Sequence, residues 1–401
     1  MSGNRDVVVV SAVRTPFGKF GGALKDVPGV ELASHVIRQA LDRVNCSPEQ
    51  VDEVYMGTCV PAETGVLAPV VARQALLAAG LPEETVSVTL DRACCSSLTA
   101  VQMAWRTITL GEADVALAVG AENLSRVPHV MPQLRWGARM GHVTLDEPLQ
   151  MKYPGFAPVS VDTGTIALEH GIGREDLDRW AFRSQQRYQE ALSAGKVAAE
   201  VAPLTLQTRK GEVHFAADEF PKPDTTLERL ASLPTVYGSP TVTAGNAPGL
   251  DAGATALLLM SREYAEKHGF KIMATVLACA SVAGDPRDIV TIPAKAIEKA
   301  TRKLGLSVDD LDLLEINEAF AAMPLVSTQL LGGGDGVKVE ALRERTNVNG
   351  GAIAIGHPVG ASGARILMAL IYELSRRGGG HGAASICGGL GQGDCAVVRV
   401  D

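Results

Sequence analysis

The sequence has few aromatic residues, no block of basic residues and no long apolar run. Aromatic side chains make up 4% of its 401 residues, and 37 Lys and Arg are outnumbered by 45 Asp and Glu. Without a basic stripe, nucleic acid is not expected as a partner. No apolar run reaches the roughly 18 residues that a membrane-spanning helix needs, and no signal-peptide pattern precedes the first strand-like run. We therefore expect a cytoplasmic protein that does not act at a membrane.

Seven cysteines are present, and their spacing matches neither a metal site nor a disulfide framework. In a chain of this length, such a pattern favours a reducing compartment and separate roles for the individual thiols. We therefore predict no metal site, and some of these thiols are candidates for a reactive group.

Strand-like apolar runs alternate with helical patterns at both ends of the chain, which indicates β-α-β units and a mostly parallel, helix-covered α/β sheet. In the first part the predicted elements are 7–12, 30–44, 54–57, 86–90, 96–110 and 115–120. In the last part they are 272–281, 294–304, 313–316, 362–375, 383–387 and 396–400.

The two ends also resemble each other in sequence. Residues 40–52 align with 300–312, with the same order of helix, Ser cap, acidic turn and strand, and 111–120 resembles 379–388. Unrelated α/β segments can share such patterns, which is the alternative explanation. Two similar halves explain the agreement better.

The segment between the two ends has a different composition, with ten prolines between residues 128 and 240 and one strong helical pattern at 174–194. It is too long for a plain connection. We therefore predict an N-terminal half (1–121 plus 251–271), an inserted loop domain (122–250) and a C-terminal half (272–401). The insertion holds basic residues that suit a phosphorylated ligand or an ordinary solvated face: Arg183, Arg187, Lys196, Arg209, Lys210, Lys222 and Arg229.

Cys94 is the first candidate for chemistry because it lies between a predicted strand, 86–90, and a predicted helix, 96–110. Free N–H groups and the helix dipole at such a position favour a thiolate over the usual thiol with a pKa of about 8.5. A small buried apolar residue is the alternative role for a cysteine at this point.

His357 is the second candidate, since it lies between Gly356 and Pro358 just before a predicted helix. A stiff turn of this kind suits a base that deprotonates a thiol. The surrounding glycines also suit a phosphate-binding loop, but neither a Gly-Lys-Ser/Thr ending nor a G-x-G-x-x-G pattern is present.

Three further candidates follow strands of the C-terminal half. Cys387 ends an apolar strand and precedes a glycine-rich run that includes Gly389, whose N–H groups can face a developing oxyanion. Asn317 follows 313–316, where an amide can hold a catalytic water or cap a helix. Buried packing and a tight turn are the alternatives for Cys387 and the glycines.

Taken together, these stretches resemble the thiolase family over nearly the whole chain and in the family's order. The blocks that carry the resemblance are Val10–Gly18, Thr241–Asn246, Asn317–Phe320, Asn347–Gly351, Gly356–Gly363 and Cys387–Gly389. The resemblance implies the thiolase fold, with two βαβαβαββ halves packed as five α-β-α-β-α layers and an inserted loop domain. It also implies a homodimer or homotetramer.

The resemblance further implies an acyltransferase of fatty acid metabolism that cleaves 3-ketoacyl-CoA with coenzyme A, or condenses acyl-CoA with acetyl-CoA, without a cofactor. In this chemistry Cys94 carries the acyl group, His357 is the base and Cys387 moves the proton. Asn317 holds a water, and the N–H groups of Cys94 and Gly389 receive the oxyanion. For acyl-CoA and CoA contacts we predict Lys222, Arg229, Ala247, Pro248 and Phe320.

The sequence departs from the family pattern in three places. Cys95 and Ser97 replace small residues beside Cys94, which we expect to narrow the room near the thioester. Pro248 stands where Ser is usual, and Val159-Ser160 stands where Met-Gly is usual. Two alternatives remain open at this point: a synthase-type condensing enzyme of the same fold, and a non-catalytic acyl-CoA-binding scaffold.

Overall fold

A computed structural model describes residues 5–65, 69–150, 153–209 and 211–401. Within these residues the strands are β1 (Val7–Arg14), β2 (Glu53–Gly57), β3 (Val86–Leu90), β4 (Val115–Asn123), β5 (Leu204–Thr208), β6 (Gly211–Phe215), β7 (Ala252–Ser261), β8 (Ala274–Ala283), β9 (Leu313–Ile316), β10 (Gly380–Gly388) and β11 (Gln392–Val400). The helices are α1 (Gly29–Asp42), α2 (Val71–Ala79), α3 (Ser96–Leu110), α4 (Val159–Glu169), α5 (Arg174–Ser193), α6 (Leu227–Ala231), α7 (Arg262–His268), α8 (Ile292–Lys303), α9 (Ala322–Leu331), α10 (Gly336–Glu344), α11 (Ala352–Ile355) and α12 (Ser362–Arg376). In this part of the chain, no helix combines the length and apolar character needed to cross a membrane.

Nine strands form one hydrogen-bonded sheet in the order β3-β2-β4-β7-β1-β8-β11-β10-β9. The two halves meet where β1 pairs antiparallel with β8 over three residues of each strand. Outward from that junction, β7, β4 and β2 on one side correspond to β11, β10 and β9 on the other, with the same strand directions. This symmetry confirms the two similar halves expected from the sequence.

The expectation of a mostly parallel sheet is wrong. Parallel pairing is confined to β3-β2-β4 and β9-β10, whereas the other strand pairs of this sheet are antiparallel. Local periodicity reports which face of a strand is buried but not its direction, so β1, β7, β8 and β11 gave no sign of antiparallel pairing.

Three hydrophobic clusters place the helices in layers around the two halves of the sheet. One cluster joins α1 and α2 to the N-terminal half, a second joins α3 and α12 between the halves, and a third joins α8 and α9 to the C-terminal half. The order is α-β-α-β-α, the five-layer arrangement predicted for the thiolase fold. Because α3 and α12 share the central layer, residues at their N-terminal ends can meet.

The repeated sequence segments form equivalent structures. After α1, the Ser47 N–H donates to Gln50 Oε1 at 2.9 Å around a short 3-10 turn that leads into β2. After α8, the Ser307 N–H donates to Asp310 Oδ2 at 2.8 Å in the same kind of turn before β9. The second similarity, between 111–120 and 379–388, corresponds to β4 and β10.

The segment between β4 and β7 packs against the C-terminal half through α5. The indole of Trp180 donates to Glu318 at 2.9 Å, and the Ser184 hydroxyl donates to the same carboxylate at 2.7 Å. Glu318 directly follows Asn317, so this contact fixes the turn after β9. The inserted segment thereby helps to position a candidate site residue.

Candidate active site

Cys94 lies in a tight turn between β3 and α3. Ala93 has a φ of +47°, and its N–H donates to Asp91 Oδ1 at 2.8 Å. The Ser96 hydroxyl accepts the N–H of Arg92 at 2.8 Å and closes the other side of the turn. A left-handed residue other than glycine is costly, and such strain concentrates at functional sites. Here it places Cys94 immediately before the N-terminus of α3.

His357 meets Cys94 from the other half of the molecule. It lies in the turn between α11 and α12, and its Nε2 is 3.3 Å from the Cys94 sulfur. The two residues are 263 positions apart, and they meet because α3 and α12 pack in the same layer. A thiol and an imidazole within this distance can exchange a proton directly.

Ser362 determines which ring nitrogen faces the thiol. Its hydroxyl donates to the Pro358 carbonyl oxygen at 2.9 Å and lies 2.6 Å from His357 Nδ1. With the single hydroxyl hydrogen placed on the Pro358 carbonyl, Nδ1 is the donor in the second contact. Nε2 is then unprotonated and directed at Cys94, as a base requires. The sequence analysis did not identify this role for Ser362.

Burial favours the neutral form of both members of the pair. Burial raises the pKa of Cys94 to about 12, with smaller upward contributions from Glu122 and Asp91. Burial, assisted by Arg365, lowers the pKa of His357 to about 3. Burial therefore acts against the low pKa that the helix N-terminus favours for the Cys94 thiol. The position at a helix N-terminus was visible in the sequence, whereas the protein packed around the thiol was not.

Cys387 lies near Cys94 at the end of β10, and Gly389 lies in the turn to β11. Cys387 is buried, and its pKa is raised by burial first and by the nearby Cys94 second. Leu390 in the same turn has a φ of +60°. The structure thus brings the two predicted thiols together although their strands belong to different halves.

Asn317 is fully buried after β9, and neither polar atom of its side chain has a hydrogen-bond partner among the described residues. Its backbone N–H is used by the carbonyl of Ser385 on the neighbouring strand. A buried amide without partners is costly unless something else satisfies it. This is the condition expected of a side chain that receives a water or a substrate oxygen.

Asp251 contacts the same site and was missed in the sequence. Its Oδ2 accepts the backbone N–H of His357 at 2.7 Å, and its Oδ1 has no partner among the described residues. Burial raises the pKa of Asp251 to about 7, and Lys222 offsets part of that rise. A single aspartate before an apolar strand gives no sequence signal for a contact with a turn 106 residues away.

Tyr153 is the second residue that the sequence analysis missed. A Cβ added to Gly389 would overlap the Tyr153 hydroxyl oxygen and lie 2.8 Å from the ring carbon Cζ. The phenol therefore covers the face of Gly389. Its pKa is raised to about 12 by burial and by the nearby Cys94, Cys59 and Asp91.

The Cys95 and Ser97 side chains are anchored in the central layer, and their effect on the room near the thioester stays a prediction. The Cys95 thiol donates to the Ile386 carbonyl at 3.4 Å, and the Ser97 hydroxyl accepts the Ala364 N–H at 2.9 Å. Both side chains are fully buried in the central layer.

The residues predicted to contact CoA fall into two groups. Ala247 and Pro248 follow the buried Asn246, whose carbonyl accepts the Ala321 N–H at 3.0 Å. This bond brings them to the turn that carries Phe320. Lys222 and Arg229 lie on the exposed part of the insertion, with the Lys222 ammonium 4.6 Å from the Phe220 ring centroid and Arg229 donating to the Asp224 carbonyl.

Several other basic residues of the insertion have structural partners. Arg183 donates to the Arg343 carbonyl, Arg187 to the Thr346 carbonyl at 2.8 Å, and Lys196 to Asn349 at 3.0 Å. These contacts fasten α5 and the following turn to the C-terminal half. Lys210 lies outside the described residues. Among those described, no group of three His, Cys, Asp or Glu side chains is arranged to hold a metal ion.

The fold and the site define a class of enzyme: a duplicated α/β protein with a cysteine at a helix N-terminus, a histidine in contact with it and a second thiol. Family models for the N-terminal and C-terminal domains of thiolase match residues 7–263 and 270–400. The chain therefore belongs to the thiolase family, and its predicted function as a thiolase, an acyltransferase, is confirmed.

Three similar proteins cover nearly the full chain. The acetyl-CoA acetyltransferase of Syntrophomonas wolfei is 40% identical over 98% of this chain and 99% of its own. The crystal structure of the Bacillus anthracis acetyl-CoA acetyltransferase is 37% identical, with a TM-score of 0.94 and full coverage of both chains. That of human mitochondrial 3-ketoacyl-CoA thiolase in complex with CoA is 36% identical, with a TM-score of 0.91 over 99% of this chain and 98% of that one.

Proposed function

We propose that this thiolase transfers an acyl group through a thioester on Cys94, with His357 and Cys387 moving the protons. The observation that carries this proposal is the 3.3 Å approach of the unprotonated His357 Nε2 to the Cys94 sulfur. In the cleavage direction Cys94 gives its proton to His357, and the sulfur attacks the keto carbon of a 3-ketoacyl-CoA. The concerted transfer avoids a free thiolate in a site where burial disfavours one.

The tetrahedral adduct then breaks the bond between its second and third carbons. Cys387 gives its proton to the departing carbon, which leaves acetyl-CoA, an acyl-Cys94 thioester, protonated His357 and a Cys387 thiolate. Coenzyme A next gives its thiol proton to Cys387, and its sulfur takes the acyl group. The released Cys94 sulfur recovers its proton from His357, so every group returns to its starting state.

Two further sets of groups would stabilise negative charge on the substrate in this scheme. The Asn317 amide would bind a water that, with His357, stabilises the enolate oxygen, a role supported by its buried and unpartnered side chain. The backbone N–H groups of Cys94 and Gly389 would receive the tetrahedral oxyanion, since preorganised donors of this kind lower such barriers.

The CoA portion would lie against the inserted domain (122–250). The turn of Ala247, Pro248 and Phe320 would border the pantetheine arm, and Lys222 and Arg229 would bind phosphate groups near the surface. A relative of known structure binds CoA, which supports a CoA thioester as substrate. Residues 1–121 together with 251–271 would form the N-terminal catalytic half, and residues 272–401 would form the C-terminal one.

The chain would act as a homodimer or homotetramer in the cytoplasm, in fatty acid metabolism. β3 supports self-association because it is the edge strand of the sheet and its Val86 and Val88 side chains are exposed. Such an edge is usually covered by pairing.

An assay of the purified protein with acetoacetyl-CoA and longer 3-ketoacyl-CoAs in the presence of CoA tests the proposal. We expect thiolysis and transient acylation of Cys94, with both absent in Cys94→Ser. Condensation with an acyl carrier protein in place of CoA would instead indicate the synthase-type enzyme. Binding of acyl-CoA without turnover would indicate the scaffold.

A further inference from the structure

We propose that Tyr153 is a specificity-determining residue that closes the acyl side of the site, so that the enzyme favours short 3-ketoacyl groups. The inference rests on the proposed role of Cys94 as the acyl carrier. It assigns to this reaction a side chain from the inserted segment, outside the catalytic blocks.

The first observation is steric. Around a Cβ placed on Gly389, the three nearest heavy atoms are the hydroxyl oxygen, Cζ and Cε2 of Tyr153, with the two ring carbons at 2.8 and 3.1 Å. The end of the phenol is therefore in van der Waals contact with the glycine whose N–H would receive the oxyanion. An acyl group attached to Cys94 must share this space with the ring.

The second observation concerns the direction from which Tyr153 enters. The titratable groups that raise the pKa of its hydroxyl, after burial, are Cys94, Cys59 and Asp91, and the latter two lie in the turns after β2 and β3 of the N-terminal half. The predicted CoA contacts lie instead near the turn after β9 of the C-terminal half. Because these groups and the proposed CoA contacts belong to different halves, the proposal assigns the space beside Tyr153 to the acyl chain rather than to the CoA arm.

The third observation is that the ring is held but its hydroxyl is not. Tyr153 is half-buried, its carbonyl accepts the Phe156 N–H at 3.1 Å in a turn, and its hydroxyl makes no hydrogen bond to any residue in the described part of the chain. Ring packing rather than a fixed polar contact therefore defines this wall. Its effect should follow the volume of the side chain.

The test compares kcat/KM for acetoacetyl-CoA and 3-ketodecanoyl-CoA in the wild type, Tyr153→Phe and Tyr153→Ala. Tyr153→Phe keeps the ring and is the volume-matched control. We expect the wild type and Tyr153→Phe to favour acetoacetyl-CoA to a similar extent. Tyr153→Ala should shift the ratio toward 3-ketodecanoyl-CoA by about tenfold or more, since a few methylene groups in an apolar pocket account for such factors. An unchanged ratio in Tyr153→Ala, or a wild type that already prefers the longer substrate, would overturn the proposal.

A second measurement needs no turnover and separates this proposal from the catalytic one. The rates at which N-ethylmaleimide and N-octylmaleimide label Cys94 are compared by peptide mass spectrometry in the same three proteins and in Tyr153→Ser. Removal of the ring should raise the octyl-to-ethyl rate ratio about tenfold even if no thiolase activity is found. Equal ratios in all four proteins would contradict a closing role for Tyr153 and leave the role of Cys94 to the activity assay.

Discussion

Ser362 holds His357 through Nδ1, at 2.6 Å from the serine oxygen, while the serine hydrogen is committed to the Pro358 carbonyl. The contact makes Nδ1 the protonated nitrogen and leaves Nε2 free to accept the Cys94 proton. We therefore expect Ser362→Ala to lower kcat about tenfold through the loss of one hydrogen bond of 1 to 1.5 kcal/mol. KM should change little because Ser362 is buried away from CoA.

The protonation state itself can be observed by ¹⁵N NMR of histidine-labelled protein. One imidazole, absent in His357→Gln, should remain neutral with the proton on Nδ1 between pH 5 and pH 8, since its pKa is lowered to about 3. For Ser362→Ala the matched control is Ser34→Ala, because Ser34 also donates to a backbone carbonyl but lies on α1. A titration of His357 near pH 6.5 would contradict the proposed neutral pair.

Asp251 predicts a pH dependence of stability. Its pKa is about 7 in the folded protein, against about 3.9 unfolded, so the folded state binds more protons between these values. Its contribution to the free energy of unfolding is thus fully present below about pH 4 and is lost as the pH rises to 7. Asp251→Asn keeps an acceptor for the His357 N–H and removes the titration.

The variant should therefore gain stability relative to the wild type between pH 5 and pH 7, by about 2 to 3 kcal/mol. Urea unfolding at the two pH values measures this difference. Because other buried carboxyl groups titrate in both proteins, only the difference between variant and wild type is informative. If the free energies of unfolding of Asp251→Asn and the wild type differ by the same amount at pH 5 and pH 7, Asp251 is ionised at both pH values in the folded protein.

Gly57 is predicted to be intolerant of any side chain. A Cβ at this residue would lie 2.5 Å from the carbonyl carbon of Ser96 and 2.6 Å from the nitrogen of Ser97. These are backbone atoms at the start of α3, so relief requires movement of the helix that positions Cys94. Gly57→Ala should destabilise the protein by about 1 to 3 kcal/mol and lower its activity.

Gly336→Ala is the matched control for this substitution. It lies at the start of α10, its φ is not positive, and an added Cβ meets no atom within 4 Å. This variant should be as stable as the wild type or up to about 1 kcal/mol more stable. Thermal unfolding of both variants provides the comparison, and equal melting temperatures would refute the close packing of β2 on α3.

The exposed edge strand β3 predicts self-association. Val88 is 38% exposed in the single chain, and Val88→Lys would place a charge on the edge. We expect light scattering to give a dimer or tetramer for the wild type and a smaller species for the variant. The control is Leu110→Lys, which adds the same charge at an exposed position outside the strand. A monomeric wild type would contradict the proposed assembly.

The sequence predicted several local elements accurately. The predicted bounds of β3, α3 and β9 agree with the structure, and Cys94, His357 and Cys387 were identified from their glycine-rich or strand-to-helix surroundings. β7 was not predicted as a strand although it lies inside the N-terminal half of the sheet. A strand buried on both faces has no alternating pattern, so it cannot be separated from a buried helix by periodicity.

What the sequence did not predict depends on contacts between distant residues. Tyr153, Asp251 and Ser362 each act on a residue brought to them by the packing of separate elements. The helix terminus that favours a low pKa for Cys94 is a local feature, whereas the burial that raises this pKa comes from the packing of separate elements. The same limitation explains the missed antiparallel strand pairs.

The most direct measurement of the central claim is mass spectrometry of the intact protein and its peptides after brief mixing with acetoacetyl-CoA in the absence of free CoA. The account predicts one acetyl group on the peptide that contains Cys94, which disappears when CoA is added and does not form in Cys94→Ser. Acetylation of Cys59, Cys387 or any other residue in its place, or thiolysis that survives in Cys94→Ser, would contradict it.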